Sequence, residues 1–387
     1  MTDPLRLSIV IPALDEASTL PSLLDDLYSQ QRGLSLEIIV VDGGSRDDTV
    51  AECQDWARRT GATLRVLQTH AGRGHQMNWG AHHASADVLL FLHADSRLSS
   101  ADWLNASLAG FEQSLDRAPG GRIAAHHPLR FGAGNRGDSV AYFYFAAKSA
   151  LNLPEAINGD QGLWISKRYF RELGGFDESL PYMEDARLAR KIFVTGRWVT
   201  LPDVLVTSPR RFESQGLARR QFVNGLLRLF DAAQCAAYFV LARDAYNRQS
   251  AASRLKVLPF VAAAHRCVWQ GGLRAGLRRS WRLATVIAQQ CWQPFFFIDV
   301  IAARRRGLPP RGVAPRWLNR YQRFVSPVMR SRIAIFGVAL ALVITLGIGR
   351  IAALVAESVG FNTTAGNDTS MDVHTTDHST KEETAHK

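Results

Sequence analysis

Short apolar runs alternate with helical patterns from Leu7 to Leu92, and this alternation constrains the fold more than any other feature of the chain. It predicts strands at 7–12, 36–41, 63–67 and 88–92, and helices at 18–28, 49–59 and 78–84. Helices between short buried strands are typical of an α/β fold with a doubly wound sheet. Ligands of such sheets bind beyond the carboxyl ends of the strands, so polar residues at strand ends are candidate site residues.

Three of the predicted strands end in such residues. Glu16 follows the first strand, and Asp42 ends the second, before two glycines. Asp42 is interpreted either as an acceptor of hydrogen bonds from a nucleobase or ribose, or as an ordinary Asp-Gly turn residue. Asp95 follows the fourth strand and offers the oxygen ligand that Mg²⁺ or Mn²⁺ prefers. His93 is interpreted as a strand-end histidine or as a partner of that metal ligand.

Three further polar segments could serve a transfer reaction. Glu184 and Asp185 open a predicted helix, where a carboxylate can act as a general base or simply cap the helix. Arg210 and Arg211 could hold a departing diphosphate. The glycine-containing segment 70–78 could form a flexible lip around the same ligand. Each segment alone could also be a solvated loop.

Taken in order, seven motifs resemble the family 2 glycosyltransferases of GT-A fold. The resemblance covers about Leu5 to Gln215, and its motifs lie at 8–16, 40–49, 72–78, 90–95, 159–161, 183–185 and 210–213. It implies a mixed α/β sheet and inverting transfer of a sugar from a nucleotide-diphosphate-sugar donor, with Mg²⁺ or Mn²⁺ as cofactor. The motifs His-Ala-Asp, Gly-Asp-Gln and Arg-Arg-Phe-Glu resemble, more narrowly, a bacterial branch labelled arsenosugar-type or uncharacterised.

The resemblance also implies a role for individual residues. Asp185 matches the catalytic base, and Asp95 matches the last acid of the metal-binding motif. The donor side comprises Pro12, Ala13, Glu16, Asp42, Gly43, Arg73, Gln76, Asp95, Arg210 and Arg211. The acceptor side comprises Asp160, Gln161 and Glu184. Two departures stand out: the metal motif has one carboxylate, and Phe212 replaces the tryptophan of the processive synthases, so polymerisation is not inferred.

The cationic character of the chain lies in its C-terminal part. The net charge is +11, and residues 266–332 contain fourteen arginines but one acid. A helical pattern at 221–246 and apolar patches among the arginines resemble in-plane membrane helices, or a helical subdomain packed on the catalytic core. The apolar run 333–356 reaches the ~20 residues needed to cross a bilayer, although a buried helix is the alternative.

These features predict four parts: a catalytic domain at 1–215, a basic helical extension at 216–332, a transmembrane helix at 333–356 and a disordered polar tail at 357–387. The positive-inside rule places the catalytic domain in the cytoplasm of a single-pass membrane protein. The start of the chain lacks the features of a signal peptide. Four cysteines without paired spacing indicate neither a zinc site nor a disulfide framework.

The expected partners are a nucleotide-sugar donor, membrane lipids and an acceptor that is lipid-linked or a small molecule. Nucleic acid is not expected, because the arginines adjoin an apolar span and lack an interleaved set of stacking side chains. Two other functions stay open. One is a nucleotidyltransferase on a similar sheet, and the other is a catalytically inactive membrane-tethered binding protein.

Overall fold

A seven-stranded mixed sheet forms the centre of the computed structural model, which describes residues 6–31, 33–132, 139–180, 182–247 and 254–346. Along the chain its strands are β1 (Leu7–Ala13), β2 (Leu36–Asp42), β3 (Leu64–Gln68), β4 (Val88–Phe91), β6 (Ile123–His126), β8 (Leu163–Ser166) and β9 (Arg197–Thr200). Their order in the sheet is β3-β2-β1-β4-β8-β6-β9, and β8 runs antiparallel to both of its neighbours. The predicted α/β sheet is therefore confirmed, with each of the four predicted strands in place.

Helices cover both faces of this sheet. They are α1 (Leu20–Gln30), α2 (Thr49–Thr60), α3 (Arg73–His83), α4 (Trp103–Asp116), α5 (Val140–Ser149), α6 (Lys167–Glu172), α7 (Glu184–Thr195) and α8 (Arg210–Gln215). Side chains of β2 alternate between the faces: Ile38 and Val40 join one core cluster, and Ile39 and Val41 join the other. This two-sided burial explains why the strand is a continuous apolar run.

Helix α3 lies unusually close to the sheet. A Cβ atom added to Gly80 would lie 2.4 Å from Cγ1 of Val10 on β1 and 3.0 Å from Cγ2 of Val41 on β2. A larger residue would push the helix away from the sheet. Glycine at this position thus brings the polar start of α3 close to the ends of β1 and β2.

A small second sheet flanks the site. It contains β5 (Arg97–Leu98), β10 (Leu205–Thr207) and β7 (Leu129–Phe131), with β10 in the middle. Strand β5 follows Asp95 directly, and β10 ends just before α8. The sheet therefore brings Asp95 close to Arg210, although 115 residues separate them in the chain.

The C-terminal part is helical. Its helices are α9 (Leu217–Ala232), α10 (Ala237–Asn247), α11 (Leu258–Trp269), α12 (Leu273–Gln289), α13 (Gln293–Arg305), α14 (Arg316–Arg320), α15 (Ser326–Met329) and α16 (Arg332–Leu346). The helical pattern expected at 221–246 corresponds to two helices, α9 and α10, because the chain turns between them at Gln234, whose φ is 55°.

The helical part packs on the catalytic part through buried aromatic side chains. Trp292 and Phe296 of α13 form a cluster with Ala147 of α5, and the ring centroids of Tyr144 and Phe296 lie 5.9 Å apart. A second cluster, built mainly from α9 to α12, packs against Met183 at the start of α7. Two apolar clusters therefore join the helical part to the rest of the fold.

A buried carboxylate also joins the two parts. Asp231 of α9 has a fully buried side chain and forms ion pairs with Arg187, at 3.0 Å, and with Arg190, both on α7. Arg187 reaches Asp177 as well, at 2.6 Å. Since an unpaired buried charge is costly, these contacts fix α9 against α7.

Leu273–Arg305, which spans α12 and α13, is long and apolar enough to cross a membrane. Arg316–Met329 and α16 pass the same test together but meet at an angle of 83°. The span predicted at 333–356 is described only as far as residue 346, and the polar tail at 357–387 lies outside the described residues. Both remain predictions.

Candidate active site

The carboxyl ends of β1 and β2 form the first wall of the site. Asp42 is buried and accepts hydrogen bonds from the backbone N–H of Gly44 at 3.1 Å and from the hydroxyl of Ser45 at 2.5 Å. The Asp-Gly turn considered from the sequence is therefore present. The predicted contact of Asp42 with a donor nucleoside stays a prediction.

Gln76 of α3 holds the ends of β1 and β2 together through hydrogen bonds. Its amide nitrogen donates to the backbone oxygens of Ala13 and Val41, both at 2.8 Å. A Cβ atom on Gly43 would lie 2.9 Å from the same nitrogen, so glycine is needed for the close approach. Gln76 thus positions the strand ends, beside half-buried Pro12.

A cationic residue bridges the ends of β1 and β4. The Arg210 guanidinium forms an ion pair with the Glu16 carboxylate, and its Nε lies 3.7 Å from Oδ2 of Asp95. Burial tends to lower the pKa of Arg210, but the Glu16 carboxylate outweighs this effect and raises it. Three predicted donor residues, from distant parts of the chain, therefore lie together.

His93 and Asp160 form the next contact along this edge. His93 Nδ1 lies 2.8 Å from Oδ1 of Asp160. Burial alone would raise the pKa of Asp160. The contact with His93, together with the charges of Arg73 and Arg211, instead holds this pKa well below its usual range. Asp160 is thus a carboxylate at pH 7, surrounded by cations.

Asp185 lies beside this pair, at the start of α7. Its Oδ2 accepts a 2.7 Å hydrogen bond from the backbone N–H of Gly159. A Cβ atom on Gly159 would lie 3.1 Å from that oxygen and 2.9 Å from Nε2 of His93. Gly159 therefore separates His93 from Asp185 at close contact with both.

The predicted acceptor residues differ in their surroundings. Glu184 is buried and forms an ion pair with Arg73 of α3, which joins the two sides of the site. Gln161 is fully buried. Its side-chain oxygen accepts a hydrogen bond from the N–H of Asn158, and its side-chain nitrogen donates one to the carbonyl of Ser149, both at 2.8 Å. Only Asp160 of the three has an exposed carboxylate. The acceptor roles stay predictions.

Asp95 fits a metal ion only together with ligand oxygens. Within the described ranges, no group of three or more His, Cys, Asp or Glu side chains is placed to hold a metal. Burial raises the pKa of Asp95, and Asp160 and Glu16 raise it further, whereas His93 and Arg210 oppose this. A cation would relieve that repulsion, with phosphate oxygens completing its coordination.

Two cationic residues near the site were not predicted from the sequence. Arg228 of α9 donates to the carbonyl of Glu155 at 3.1 Å and to the side-chain oxygen of Asn158. Lys148 of α5 lies close enough to Arg228 for their charges to interact. Lys148 lies near the end of the mostly apolar helix α5, and Arg228 lies in the amphipathic helix α9, so no local motif in the sequence marks them.

Comparisons with known proteins agree with this geometry. Residues 8–174 match the family model described as glycosyl transferase family 2. A PGL/p-HBAD biosynthesis glycosyltransferase of Mycobacterium bovis is 36% identical over 128 residues, which cover 32% of this chain and 50% of the relative. The O-antigen chain rhamnosyltransferase RfbN of Salmonella typhimurium is 27% identical over 205 residues, covering 50% of this chain and 62% of the relative.

The chain thus spans about half the length of the mycobacterial relative it matches. Among solved structures, the mannosyltransferase PcManGT from Pyrobaculum calidifontis, in complex with GDP-Man and Mn²⁺, is similar at a TM-score of 0.44 and 20% identity. That match covers 88% of this chain and 87% of the other. The narrower resemblance to an arsenosugar-type branch stays a prediction.

Proposed function

Because residues 8–174 belong to glycosyl transferase family 2, we propose that the chain transfers a sugar from a nucleotide-diphosphate-sugar donor to an acceptor hydroxyl, with inversion at the anomeric carbon. The observation that carries the proposal is the convergence of two groups of residues. Asp185 lies beside the His93–Asp160 contact, and Asp160 is within electrostatic range of Asp95 and Arg211. A base and a diphosphate site therefore adjoin each other.

Asp185 is suited to accept the proton of the acceptor hydroxyl. Its carboxylate is oriented by the N–H of Gly159, and among the described residues it has no lysine or arginine within ion-pair distance. A carboxylate that is oriented but not neutralised can act as a general base. Removal of the proton strengthens the attacking oxygen as it displaces the nucleoside diphosphate.

The donor side uses the residues around the ends of β1, β2 and β4. Glu16 and Asp42 would contact the nucleoside, and Arg210 and Arg211 would stabilise the charge that develops on the leaving diphosphate. Asp95 would hold Mg²⁺ or Mn²⁺ jointly with the diphosphate oxygens, where the ion supplies further charge stabilisation. Arg210 already faces Asp95 and Glu16, so only modest movement is needed to meet a phosphate.

The C-terminal helices support a location at a membrane surface. Along α16, Ile333, Phe336, Leu340 and Ile344 form an exposed apolar stripe, with exposed fractions between 53% and 86%. Arginines dominate the preceding helices, which suits contact with anionic lipid headgroups. Membrane lipids, a cytoplasmic catalytic domain and a lipid-linked or small-molecule acceptor are parts of this proposal.

A screen of nucleotide sugars tests the function directly. With Mn²⁺ present, at least one donor should raise the thermal midpoint of the protein, and turnover of that donor should release a nucleoside diphosphate. Release of pyrophosphate would instead identify a nucleotidyltransferase. Failure of every nucleotide sugar to bind or react would favour the inactive binding protein.

A further inference from the structure

Two cations lie close together near the site: Lys148 and Arg228 are near enough for their charges to interact, and Arg228 is also within electrostatic range of Asp185. Among the described residues, Arg228 donates hydrogen bonds to two neutral oxygens, the backbone carbonyl of Glu155 and the side-chain oxygen of Asn158. Lys148 Nζ lies 3.4 Å from the side-chain oxygen of Gln293. Over the described ranges, neither Lys148 nor Arg228 has a carboxylate within ion-pair distance. Together they could donate more hydrogen bonds than they make, because a guanidinium carries five N–H groups and an ammonium three.

The energetics of this pair are unfavourable without a ligand. Burial, together with the like charge of Arg228, lowers the pKa of Lys148 to about 7, and Glu155 only partly compensates. Burial lowers the pKa of Arg228 too, against the opposing charges of Asp185, Asp160 and Glu155. Adjacent desolvated cations are typical of a functional site, where a bound anion offsets the cost.

The pair lies on the acceptor side of Asp185. Arg228 holds Asn158, and the next residue, Gly159, donates its N–H to Asp185. Arg210, in contrast, forms an ion pair with Glu16 and lies 3.7 Å from Asp95 at the donor side. Arg210 therefore faces the donor side, whereas Arg228 lies on the side of Asn158 and within electrostatic range of Asp185 and Asp160.

Lys148 lies against buried Trp292, and apolar side chains farther along α13 are exposed. The Lys148 ammonium lies 5.4 Å from the centroid of the Trp292 ring, and the ring centroids of Tyr144 and Phe297 are 5.8 Å apart. Phe297 and Ile298 are 42% and 46% exposed on α13. An anionic group bound at Lys148 could thus be followed by an apolar chain along α13.

We propose that Lys148 and Arg228 form a phosphate-binding subsite for the acceptor, and that the acceptor is a phosphorylated amphiphile whose apolar part lies along the exposed side chains Phe297 and Ile298. This inference rests on the proposed glycosyl transfer only in identifying the bound molecule as the acceptor. The binding of a phosphate at this place can be measured without any donor.

Calorimetric titration of the full-length protein with farnesyl phosphate, farnesol and inorganic phosphate tests the subsite. Wild-type protein should bind farnesyl phosphate at least about 10-fold more tightly than farnesol. Lys148→Met should reduce this affinity about 10-fold, whereas Lys148→Arg should retain it. Lys191→Met, which removes an exposed lysine of α7, is the matched control and should bind like the wild type.

Arg211→Ala separates the subsite from the donor side, since it removes a donor residue and should leave the affinity for farnesyl phosphate unchanged. Loss of that affinity in Arg211→Ala but not in Lys148→Met would overturn the proposal, and so would equal binding of farnesol and farnesyl phosphate. If inorganic phosphate binds as tightly as farnesyl phosphate and depends on Lys148, the subsite stands but the apolar part is wrong. Nucleotide-sugar binding by the same preparation tests the proposed function independently.

Discussion

The backbone N–H of Gly159 donates a 2.7 Å hydrogen bond to Oδ2 of Asp185, and no side chain larger than hydrogen fits between Asp185 and His93 at this point. The first prediction follows from this contact. Gly159→Ala should reduce kcat at least about 10-fold, because a small displacement of a catalytic group is costly. Donor affinity, measured by calorimetry, should stay within about 2-fold of the wild type. A variant with unchanged kcat would contradict the role given to Gly159.

Asp185→Asn tests the general base. The amide keeps the size of the carboxylate but cannot accept the proton, so kcat should fall by about two decades or more. Donor binding should persist, because Asp185 contacts the acceptor side. Steady-state kinetics and calorimetry on one preparation separate the two effects. Near-normal turnover would remove Asp185 from this role.

Asp95→Ala tests the metal site. Donor affinity should become independent of Mn²⁺, since the carboxylate that would hold the ion with the diphosphate is gone. Calorimetric titration with and without Mn²⁺ gives the comparison. Asp87→Ala is a suitable control, because Asp87 precedes β4 at the opposite end of the strand. Wild-type metal dependence in Asp95→Ala would place the ion elsewhere.

Lys148→Met should stabilise the protein, in contrast to most substitutions of partly buried residues. The pKa of Lys148 is about 7 in the folded protein, against an ordinary 10.5. Between pH 7 and pH 10.5, Lys148 is therefore protonated in the unfolded chain but mostly neutral in the folded protein. The loss in the free energy of unfolding caused by the buried Lys148 charge is therefore largest below pH 7 and disappears toward pH 10.5. Arg228 and Glu155 are the charged groups that face it.

Thermal unfolding measures this effect. At pH 6.5 the midpoint of Lys148→Met should exceed that of the wild type by about 2 °C, the scale expected for roughly 1 kcal/mol. At pH 9.5 the difference should be smaller. An equal difference at both pH values would show that the charge of Lys148 is not its cause.

Phe336→Ser combined with Leu340→Ser tests the membrane contact of α16. Both side chains are exposed, at 62% and 53%, so their loss should cost little of the folded core. Sedimentation with anionic vesicles should decrease, because apolar surface leaves the interface. Val194→Ser, at an 85% exposed position on α7, is the control. Undiminished sedimentation of the double variant would assign the membrane contact to other helices.

The fold was largely predictable because its strands and helices differ in periodicity. Strands β1 to β4 lie within one residue of their expected bounds at either end. Helix α3 begins at Arg73, five residues before the expected start, because its first turns contain glycine and polar residues without an apolar stripe. Gln76 is buried there by hydrogen bonds to two strands, which only the tertiary structure supplies.

The candidate site was predictable in part. Strand-end acids and the Arg210 pair follow from the topology of a parallel sheet, where loops converge at one edge. Lys148 and Arg228 come from helices that are 80 residues apart and meet only when the C-terminal helices pack on the catalytic part. No spacing rule within the chain connects such residues.

The ion pairs between Asp231 and the arginines of α7 connect the C-terminal helices directly to the candidate site. Helix α9 carries both Asp231 and Arg228, so the same helix that steadies the Asp185 end of α7 also presents a cation to the crevice. A change in the packing of α9 would therefore alter the position of α7 and the placement of Arg228 at the same time.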